Sequence, residues 1–313
     1  MTKKRVFSGA QPSGTLHIGN YFGALKQWVE MIQDFDCIYC LVDYHALTTV
    51  KDPELLRHNN LEGAKDLVAI GIDPERCILF NQSSVQEHTE LAWIFECLVT
   101  VPFLMQAHAY KDKVAKGLEP NAGLFNYPML MAADILLYDT DVVPVGADQR
   151  QHVEYAREAA AKFNKAYGQT FKEPKEKILD TVAVVPGTDG QKMSKSYGNT
   201  IPLFGSKDEI AKAVMSIVTD SSGERPENVY AIHKLLTSEA ELAPLYEKNK
   251  GNYKALKEAL VEDLEAFIAP MRAKREALSD QEIKKILKEG GDKARGLAST
   301  KMTEVRKKIG VTL

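Results

Sequence analysis

The sequence has few of the features that mark secreted or membrane proteins. Only 4 of its 313 residues are cysteine, which is too few and too scattered for a disulfide framework in a chain of this size. No run approaches the roughly 18 consecutive apolar residues that a membrane-spanning helix needs. The first ten residues, MTKKRVFSGA, lack the apolar core of a secretory signal. These absences predict a cytoplasmic protein.

Metal-ligand patterns and an excess of positive charge are also missing. Cys37 and Cys40 lie in the apolar run CIYCLV, and no second cysteine pair or histidine pair completes a metal site. We therefore expect both thiols to pack inside a buried strand, and we predict no metal site made of side chains. The formal net charge is -3, so any contact with RNA has to come from a local basic patch.

Length and residue pattern predict an α/β protein with two parts. Single cores tend to divide beyond roughly 250 to 300 residues, which predicts one large domain and one smaller one. Strands are expected at Lys4–Ser8, at the start of DCIYCLVDYHALTT, at CILFNQS, at VVPVGADQ and at DTVAVVPG. Helices are expected at 20–33, at 53–70 with Asp52 as N-cap and Pro53 in the first position, at YPMLMAADILLY and at QHVEYAREAAAKFNKAYG. This alternation is typical of a parallel sheet covered by helices.

The change in composition and periodicity along the chain predicts three segments. Residues 1–190 are predicted to form a Rossmann-like, nucleotide-binding α/β domain with a helical insertion at about 85–125. The insertion is rich in bulky apolar side chains, which core packing and a subunit interface explain equally well. Residues 191–205 are predicted to be a loop and hinge, and 206–313 a smaller all-α domain, since that part is charged and helical in pattern.

The segment GAQPSGTLHIGN, residues 9–20, predicts an anion site. A strand that turns sharply into a helix presents free backbone N–H groups and the positive end of the helix dipole. Glycine at Gly9, Gly14 and Gly19 permits positive φ and lets a ring or a phosphate approach the backbone closely. The pattern is neither GxGxxG nor a Walker A loop, and a plain glycine turn that caps a helix explains it about as well.

A second segment, QKMSKS at residues 191–196, favours the nucleotide interpretation. Lys192 and Lys195 are three residues apart and supply two cations, while Ser194 and Ser196 add hydrogen-bond donors. A lysine-serine loop alone is usually just solvated. Together with the glycine turn, it predicts a nucleotide site built from two distant segments.

These motifs carry a resemblance to a known family. HIGN at 17–20 resembles the HIGH signature of class I aminoacyl-tRNA synthetases, and KMSKS at 192–196 is their second signature. With VDYHA, YPMLMAADILLY and VPVGADQ, the chain looks like the bacterial-type tryptophanyl family. Asn20 stands where HIGH has its second histidine, a substitution that occurs within that family. An amide still donates to a phosphate or ribose oxygen.

The resemblance implies a two-step reaction and its participants. L-tryptophan attacks the α-phosphorus of ATP to give tryptophanyl-adenylate and pyrophosphate, and tRNA(Trp) then takes the acyl group. ATP and Mg²⁺ are the implied cofactors, and a homodimer is the implied assembly. The implied catalytic residues are Lys192, Lys195, Lys113 and Gln11. The implied ATP-binding residues are Gln11, Pro12, Ser13, His17, Gly19, Asn20, Gly146, Asp148, Lys192, Met193, Ser194 and Lys195.

The amino-acid pocket follows from the same resemblance. A carboxylate in the apolar helix around Asp134 is costly to bury without a partner, and in the family the matching aspartate accepts the indole N–H. The remaining implied tryptophan-binding residues are Phe7, Gly9, Gln11, His45, Tyr127, Met131, Val143, Val145 and Gln149. Taken alone, the apolar members are more typical of core packing.

The resemblance also assigns roles to the two helical parts. The insertion is the implied dimer interface, and 206–313 the implied anticodon-binding domain. Basic residues of the last helices are candidates for tracking RNA phosphates, although their acidic neighbours favour a solvated helical face. Three alternatives stay open: a tyrosyl synthetase, a HIGH-type nucleotidyltransferase, and an inactive synthetase-like protein that binds RNA or senses tryptophan.

Overall fold

The fold is built on one parallel sheet. The computed structural model describes residues 3–117, 119–145, 150–178, 184–219 and 225–311, with side chains at all of these positions except 108, 109, 150 and 178. Five strands pair in the order β3-β2-β1-β4-β5, and every pairing is parallel. They are β1 Arg5–Ala10, β2 Asp36–Leu41, β3 Ile78–Asn81, β4 Val142–Val145 and β5 Lys175–Ile178. The predicted α/β class is confirmed.

The strand order reverses at β1. Val6 lies opposite Cys37 of β2 on one side and opposite Val142 of β4 on the other. In open parallel sheets, ligands bind beyond the carboxyl ends of the strands at such a reversal. The segment that follows β1 is the glycine turn, so the topology places that turn at the expected crevice.

Helices cover both faces of this sheet. In chain order they are α1 Ile18–Asn20, α2 Lys26–Met31, α3 Asp43–Ala46, α4 Pro53–Ala69, α5 Glu87–Glu96, α6 Val101–Leu104, α7 His108–Ala115, α8 Ala122–Leu136, α9 Arg150–Tyr167, α10 Lys207–Met215, α11 Glu227–His233, α12 Glu239–Lys248, α13 Tyr253–Ala277 and α14 Asp280–Ile309. A π-helical turn, Tyr21–Leu25, joins α1 to α2. Within the described residues, no helix is both long and apolar enough to cross a bilayer.

Two local predictions from the sequence, a helix N-cap and a pair of buried cysteines, are confirmed. The Asp52 carboxylate accepts hydrogen bonds from the backbone N–H groups of Glu54 and Leu55, and Pro53 begins α4. The predicted N-cap is therefore confirmed. Cys37 and Cys40 are buried in β2, as predicted, because both faces of a central parallel strand are covered.

Three predicted elements are wrong in detail. The last strand is Lys175–Ile178, not DTVAVVPG; residues 180–183 lie outside the described residues, and 184–187 make only an isolated bridge between Pro186 and Lys192. An edge strand needs only backbone pairing on one side, so charged KEKI forms it without an apolar run. The predicted helical insertion at about 85–125 is not one continuous helix, since it contains the three separate helices α5 to α7. The polar end of the β2 run is the helix α3.

The C-terminal helices share the core of the sheet. Leu260 and Leu264 of α13, with Ile283 of α14, join the cluster that contains Val6 and Trp28. Further along α14, four side chains join the cluster on the other face: Ala294, Ala298, Met302 and Val305. The contact with β3 is close, since a Cβ on Gly290 would lie 1.9 Å from the Leu79 carbonyl oxygen. No gap in hydrophobic packing separates the helical part from the sheet in the described chain.

Candidate active site

The glycine turn after β1 depends on glycine for two different reasons. Gly14 has φ 85°, a left-handed conformation that glycine adopts freely. Gly9 and Gly19 do not have positive φ. A Cβ on Gly9 would lie 2.7 Å from Val42 Cγ1, and one on Gly19 would lie 2.9 Å from His17 Nδ1 and 3.2 Å from Met193 Cβ. At these two positions glycine is required by close packing.

The helix that follows the turn is held by one of its own side chains and by a distant backbone carbonyl. The His17 N–H donates to Asn20 Oδ1 at 3.1 Å, and the Ile18 N–H donates to the Ile201 carbonyl at 3.0 Å. Asn20 therefore keeps its Nδ2 group as the donor for a ligand. The π-helical turn begins directly after Asn20, and such turns are frequent at functional sites.

The structure brings the KMSKS segment onto this turn. Lys195 Nζ donates to the Ser13 carbonyl oxygen at 2.9 Å, across 182 residues of sequence, and Met193 is buried beside Gly19. Burial lowers the pKa of Lys195. Burial, with Lys195 second, lowers the pKa of His17 to about 4, so this imidazole is neutral at pH 7. The predicted two-segment arrangement is present.

Asn199 organises the KMSKS segment, and sequence reasoning missed it. Its Nδ2 donates to Asp189 Oδ1 at 2.7 Å and to the Lys192 carbonyl at 3.2 Å, while its Oδ1 accepts from the Ser194 N–H at 2.8 Å. The side chain is buried. Gly187 has to be glycine here, since a Cβ would lie 2.2 Å from Asn199 Nδ2. An asparagine three residues after the motif carries no signal of this role in one sequence.

A cavity of about 620 Å³ lies beside the turn, between β1, β4, α3 and α8. Its lining contains nine residues that the sequence assigned to the amino-acid pocket: Phe7, Gly9, Gln11, His45, Tyr127, Met131, Asp134, Val143 and Val145. The tenth, Gln149, lies outside the described residues. Sequence reasoning missed further lining residues, among them Trp28, Thr48, Thr49 and His152. The walls are mainly apolar, and a carboxylate lies in them.

Asp134 carries that carboxylate, fully buried on α8. Oδ2 lies 2.9 Å from His45 Nε2, and Oδ1 accepts from Gln82 Nε2 at 2.7 Å. His88 Nδ1 is 2.6 Å from Oδ1, although at an angle poorer than that of a regular hydrogen bond. Burial raises the pKa of Asp134, but His88 and His45 outweigh burial and hold it below its usual range. The group is an ionised acceptor at neutral pH.

Comparison with known proteins identifies the family. The model of the family described as tRNA synthetases class I (W and Y) matches residues 2–288. The chain belongs to this class I tRNA synthetase family. It is 47% identical to the Tryptophan--tRNA ligase of Rhodopirellula baltica over 98% of this chain and 99% of that one. It is 46% identical to the ligase of Fusobacterium nucleatum over 98% of each chain.

Solved structures of tRNA synthetases are similar to this chain. The tryptophanyl-tRNA synthetase of Campylobacter jejuni complexed with ADP and tryptophan superimposes with a TM-score of 0.92 at 44% identity, over 98% of this chain and 99% of that one. The tyrosyl-tRNA synthetase of Archaeoglobus fulgidus complexed with L-tyrosine gives a TM-score of 0.67 at 20% identity, over 88% of this chain and 90% of that one. The second likeness shows a shared fold only.

The remaining predicted site residues of the synthetase lie in different parts of the molecule. Lys113 is half-buried on α7 and is not among the described residues that line the cavity. Gly146 and Asp148, predicted to contact ATP, lie outside the described residues. Pro12 is buried next to Ser13 in the turn, and Lys192 is exposed at the start of the KMSKS segment.

The basic residues of α14 in this synthetase mostly have acidic or carbonyl partners. Lys288 pairs with Asp292 at 2.8 Å, Arg295 donates to the Ser84 carbonyl at 2.6 Å, and Arg306 pairs with Glu90. Such pairs support the interpretation of this helix as a solvated face. These three side chains therefore do not form a basic surface for binding RNA.

Proposed function

We propose that this synthetase is a tryptophan–tRNA ligase. It activates L-tryptophan with ATP to tryptophanyl-adenylate and pyrophosphate, and then transfers the tryptophanyl group to the 3′-terminal adenosine of tRNA(Trp). The observation that carries the proposal is Asp134, a buried and ionised carboxylate in the wall of an otherwise apolar cavity. The relatives named Tryptophan--tRNA ligase support it.

Asp134 explains how the enzyme selects tryptophan. The indole N–H is a donor that phenylalanine lacks and that tyrosine presents elsewhere on its ring. A site built around a buried hydrogen bond rejects an analogue without the donor by roughly 10⁴- to 10⁵-fold. Phe7, Met131, Val143 and Val145 supply the apolar walls against which the ring packs. Tyr127 and Gln149 are proposed to contact the amino group.

ATP is proposed to bind where the glycine turn meets the KMSKS segment. Gln11, His17, Gly19 and Asn20 are proposed to hold the adenosine and the phosphates. Lys192 and Lys195 neutralise the charge that develops on pyrophosphate, with help from Lys113. Charge stabilisation of this kind is usually the largest catalytic contribution in phosphoryl chemistry. Since His17 is neutral, it donates a hydrogen bond without adding a charge.

Mg²⁺ is proposed to enter with ATP. Among the described residues, no group of three or more histidine, cysteine, aspartate or glutamate side chains is arranged to hold a metal ion. A donor set of phosphate oxygens and water suits Mg²⁺, which dehydrates reluctantly. When bound, the ion would neutralise phosphate charge, and Lys192 and Lys195 would supply further positive charge.

The wider assembly completes the proposal. We propose a cytoplasmic homodimer that pairs through the segment at about 85–125, where Trp93, Val101 and Met105 expose apolar surface. The helical part, 206–313, is proposed to bind the anticodon region of tRNA(Trp), and 191–205 to act as loop and hinge. Pairing of two apolar surfaces removes both from water, which favours association.

Exchange between ATP and labelled pyrophosphate tests the activation step. The purified protein is assayed with tryptophan and with tyrosine in parallel, and an Asp134→Asn variant serves as the matched control. We expect exchange that depends on tryptophan alone and that falls sharply in the variant. Exchange with tyrosine would overturn the assignment of the pocket. Absence of exchange with either amino acid would favour an inactive protein that binds RNA or senses tryptophan.

A further inference from the structure

Behind the cavity, Asp134 is surrounded by a set of buried polar residues. These surrounding residues take no part in the activation chemistry described above. Gln82, His88 and Tyr138 are buried, and none of them is among the described residues that line the cavity. Tyr138 Oη lies 2.8 Å from His88 Nε2. Buried polar groups need partners, and here the partners lead to one carboxylate.

Hydrogen bonding fixes which atom each group presents to Asp134. The Gln82 Oε1 accepts from the His45 backbone N–H at 3.4 Å, so its amide nitrogen faces the carboxylate. A lone pair on His88 Nδ1 would be repelled by a carboxylate oxygen 2.6 Å away. Nδ1 therefore carries a proton, and Nε2 forms the hydrogen bond with the Tyr138 hydroxyl.

This assignment distinguishes the two carboxylate oxygens. An ionised carboxylate accepts at about four positions, two on each oxygen. Gln82 donates to Oδ1 and His88 Nδ1 lies 2.6 Å from the same oxygen, so these two groups enclose Oδ1, while His45 occupies one position on Oδ2. The second acceptor position on Oδ2 remains. Asp134 and His45 both line the cavity, so this position is available to a donor bound there.

We propose that Gln82 and His88, with Tyr138 behind His88, are positioning residues that determine specificity for tryptophan. They hold Oδ1 of Asp134 so that Oδ2 offers a single acceptor to the indole N–H. This inference rests on the proposed function and deepens it. Removing either donor leaves the carboxylate free to rotate or to take a proton, and its preference for an N–H donor then weakens.

The test compares two substrates that differ in one donor. Tryptophan and β-(3-benzothienyl)alanine, in which sulfur replaces the indole N–H, are assayed by pyrophosphate exchange, and the ratio of their kcat/KM values is the readout. His88→Leu and Gln82→Met remove a donor, Tyr138→Phe removes only a hydroxyl, and His88→Asn restores a donor near the Nδ1 position. A merely structural role lowers kcat/KM for both substrates together.

We expect His88→Leu and Gln82→Met to lower the tryptophan preference by roughly tenfold or more, the range of a hydrogen bond to a charged group. The effect of Tyr138→Phe should be smaller, and His88→Asn should retain more of the preference than His88→Leu. Tyr246→Phe is the matched control. Its hydroxyl lies 3.1 Å from the Nδ1 of another buried histidine, His233, in the helical part, and the ratio should not change.

Two results would contradict the inference. An unchanged ratio in His88→Leu and Gln82→Met, with kcat/KM lowered equally for both substrates, would make the network structural only. If these variants do not fold, as judged by circular dichroism, Tyr138→Phe is the deciding variant. A ratio of the two kcat/KM values equal to that of Tyr246→Phe then overturns the proposal. The wild-type enzyme distinguishes failure of this inference from failure of the proposed function. If the wild type shows no tryptophan-dependent exchange, the proposed function itself is contradicted.

Discussion

At the residue scale, Lys195 makes a contact that bears on its proposed role. Its ammonium is held against the Ser13 carbonyl, at the junction of the turn and the KMSKS segment, and outside the amino-acid cavity. A cation at this junction is suited to the transition state of adenylate formation more than to amino-acid binding.

The substitution Lys195→Ala tests that role. We expect adenylate formation to fall by roughly 10²- to 10³-fold, as on removal of one charge-stabilising group, while tryptophan affinity measured by calorimetry is retained. Lys254→Ala, at an exposed lysine that pairs with Glu258, is the control and should leave both quantities unchanged. Wild-type activation by the Lys195 variant would remove this loop from the mechanism.

His17 makes stability depend on pH in a defined window. The ordinary pKa of 6.5 applies to the unfolded chain, and the folded value is about 4 because of burial and Lys195. Between these values the unfolded chain binds a proton that the folded protein excludes. Stability from this group is therefore complete above pH 6.5, is lost progressively as the pH falls towards 4, and changes no further below it.

The substitution His17→Gln isolates this effect. From about pH 6.5 down to 4, the wild-type free energy of unfolding should fall relative to the variant by up to about 1.4 kcal/mol per pH unit. Urea unfolding at several pH values measures the difference, and other titrating groups cancel because both proteins contain them. Parallel profiles of the two proteins would show that His17 is not shifted.

At the element scale, α14 is a single helix of 30 residues although its sequence contains three glycines. Gly290 and Gly291 lie where the helix crosses β3 and the turn after it, and a Cβ on either would meet Leu79 or Ser84 within 2.6 Å. Gly296 faces open space. The sequence predicts the helix, but only packing distinguishes the glycines that it needs from the one that it tolerates.

These glycines form a matched pair of substitutions on one helix. Gly290→Ala should destabilise the protein by about 2 kcal/mol or more, since the backbone of β3 cannot yield. Gly296→Ala should stabilise it by up to about 1 kcal/mol, because alanine has the higher helix propensity. Urea midpoints measure both changes. Equal effects of the same sign would contradict this account of the α14–β3 contact.

At the scale of the whole molecule, the two faces of the sheet are completed by the C-terminal helices. Ile283 belongs to the hydrophobic cluster that contains Val6 on one face, and Met302 belongs to the cluster that contains Phe95 on the other. Arg275 of α13 also pairs with Asp66 and Glu62 of α4. A sequence boundary near residue 206 therefore does not coincide with a break in the described core.

This continuity predicts one cooperative unfolding transition. Tryptophan fluorescence reports on Trp28, which is buried in the sheet core, and on Trp93, which is exposed, while far-UV circular dichroism is dominated by the helices. We expect coincident urea midpoints by both probes, as two-state unfolding requires. Two separated transitions would instead favour independent folding of the sheet and the helical part.

Features that depend on neighbours along the chain follow from the amino-acid sequence. The start of α4 follows from Asp52 and Pro53, because an N-cap acts within three residues. The alternation of strands and helices predicted the parallel sheet, and the HIGN and KMSKS segments predicted a two-segment site. Nine pocket residues came from the resemblance, which carries three-dimensional information that spacing alone lacks.

Tertiary structure alone decided the features that depend on distant residues. The network around Asp134 joins Gln82 after β3 to Asp134, 52 positions later, and His88 on α5 to Tyr138 after α8, 50 positions later. Charged KEKI forms the edge strand, whereas Val184 of the more apolar DTVAVVPG run is exposed. Local propensity and periodicity act over a few residues, whereas these partners are brought together only when the sheet closes its core.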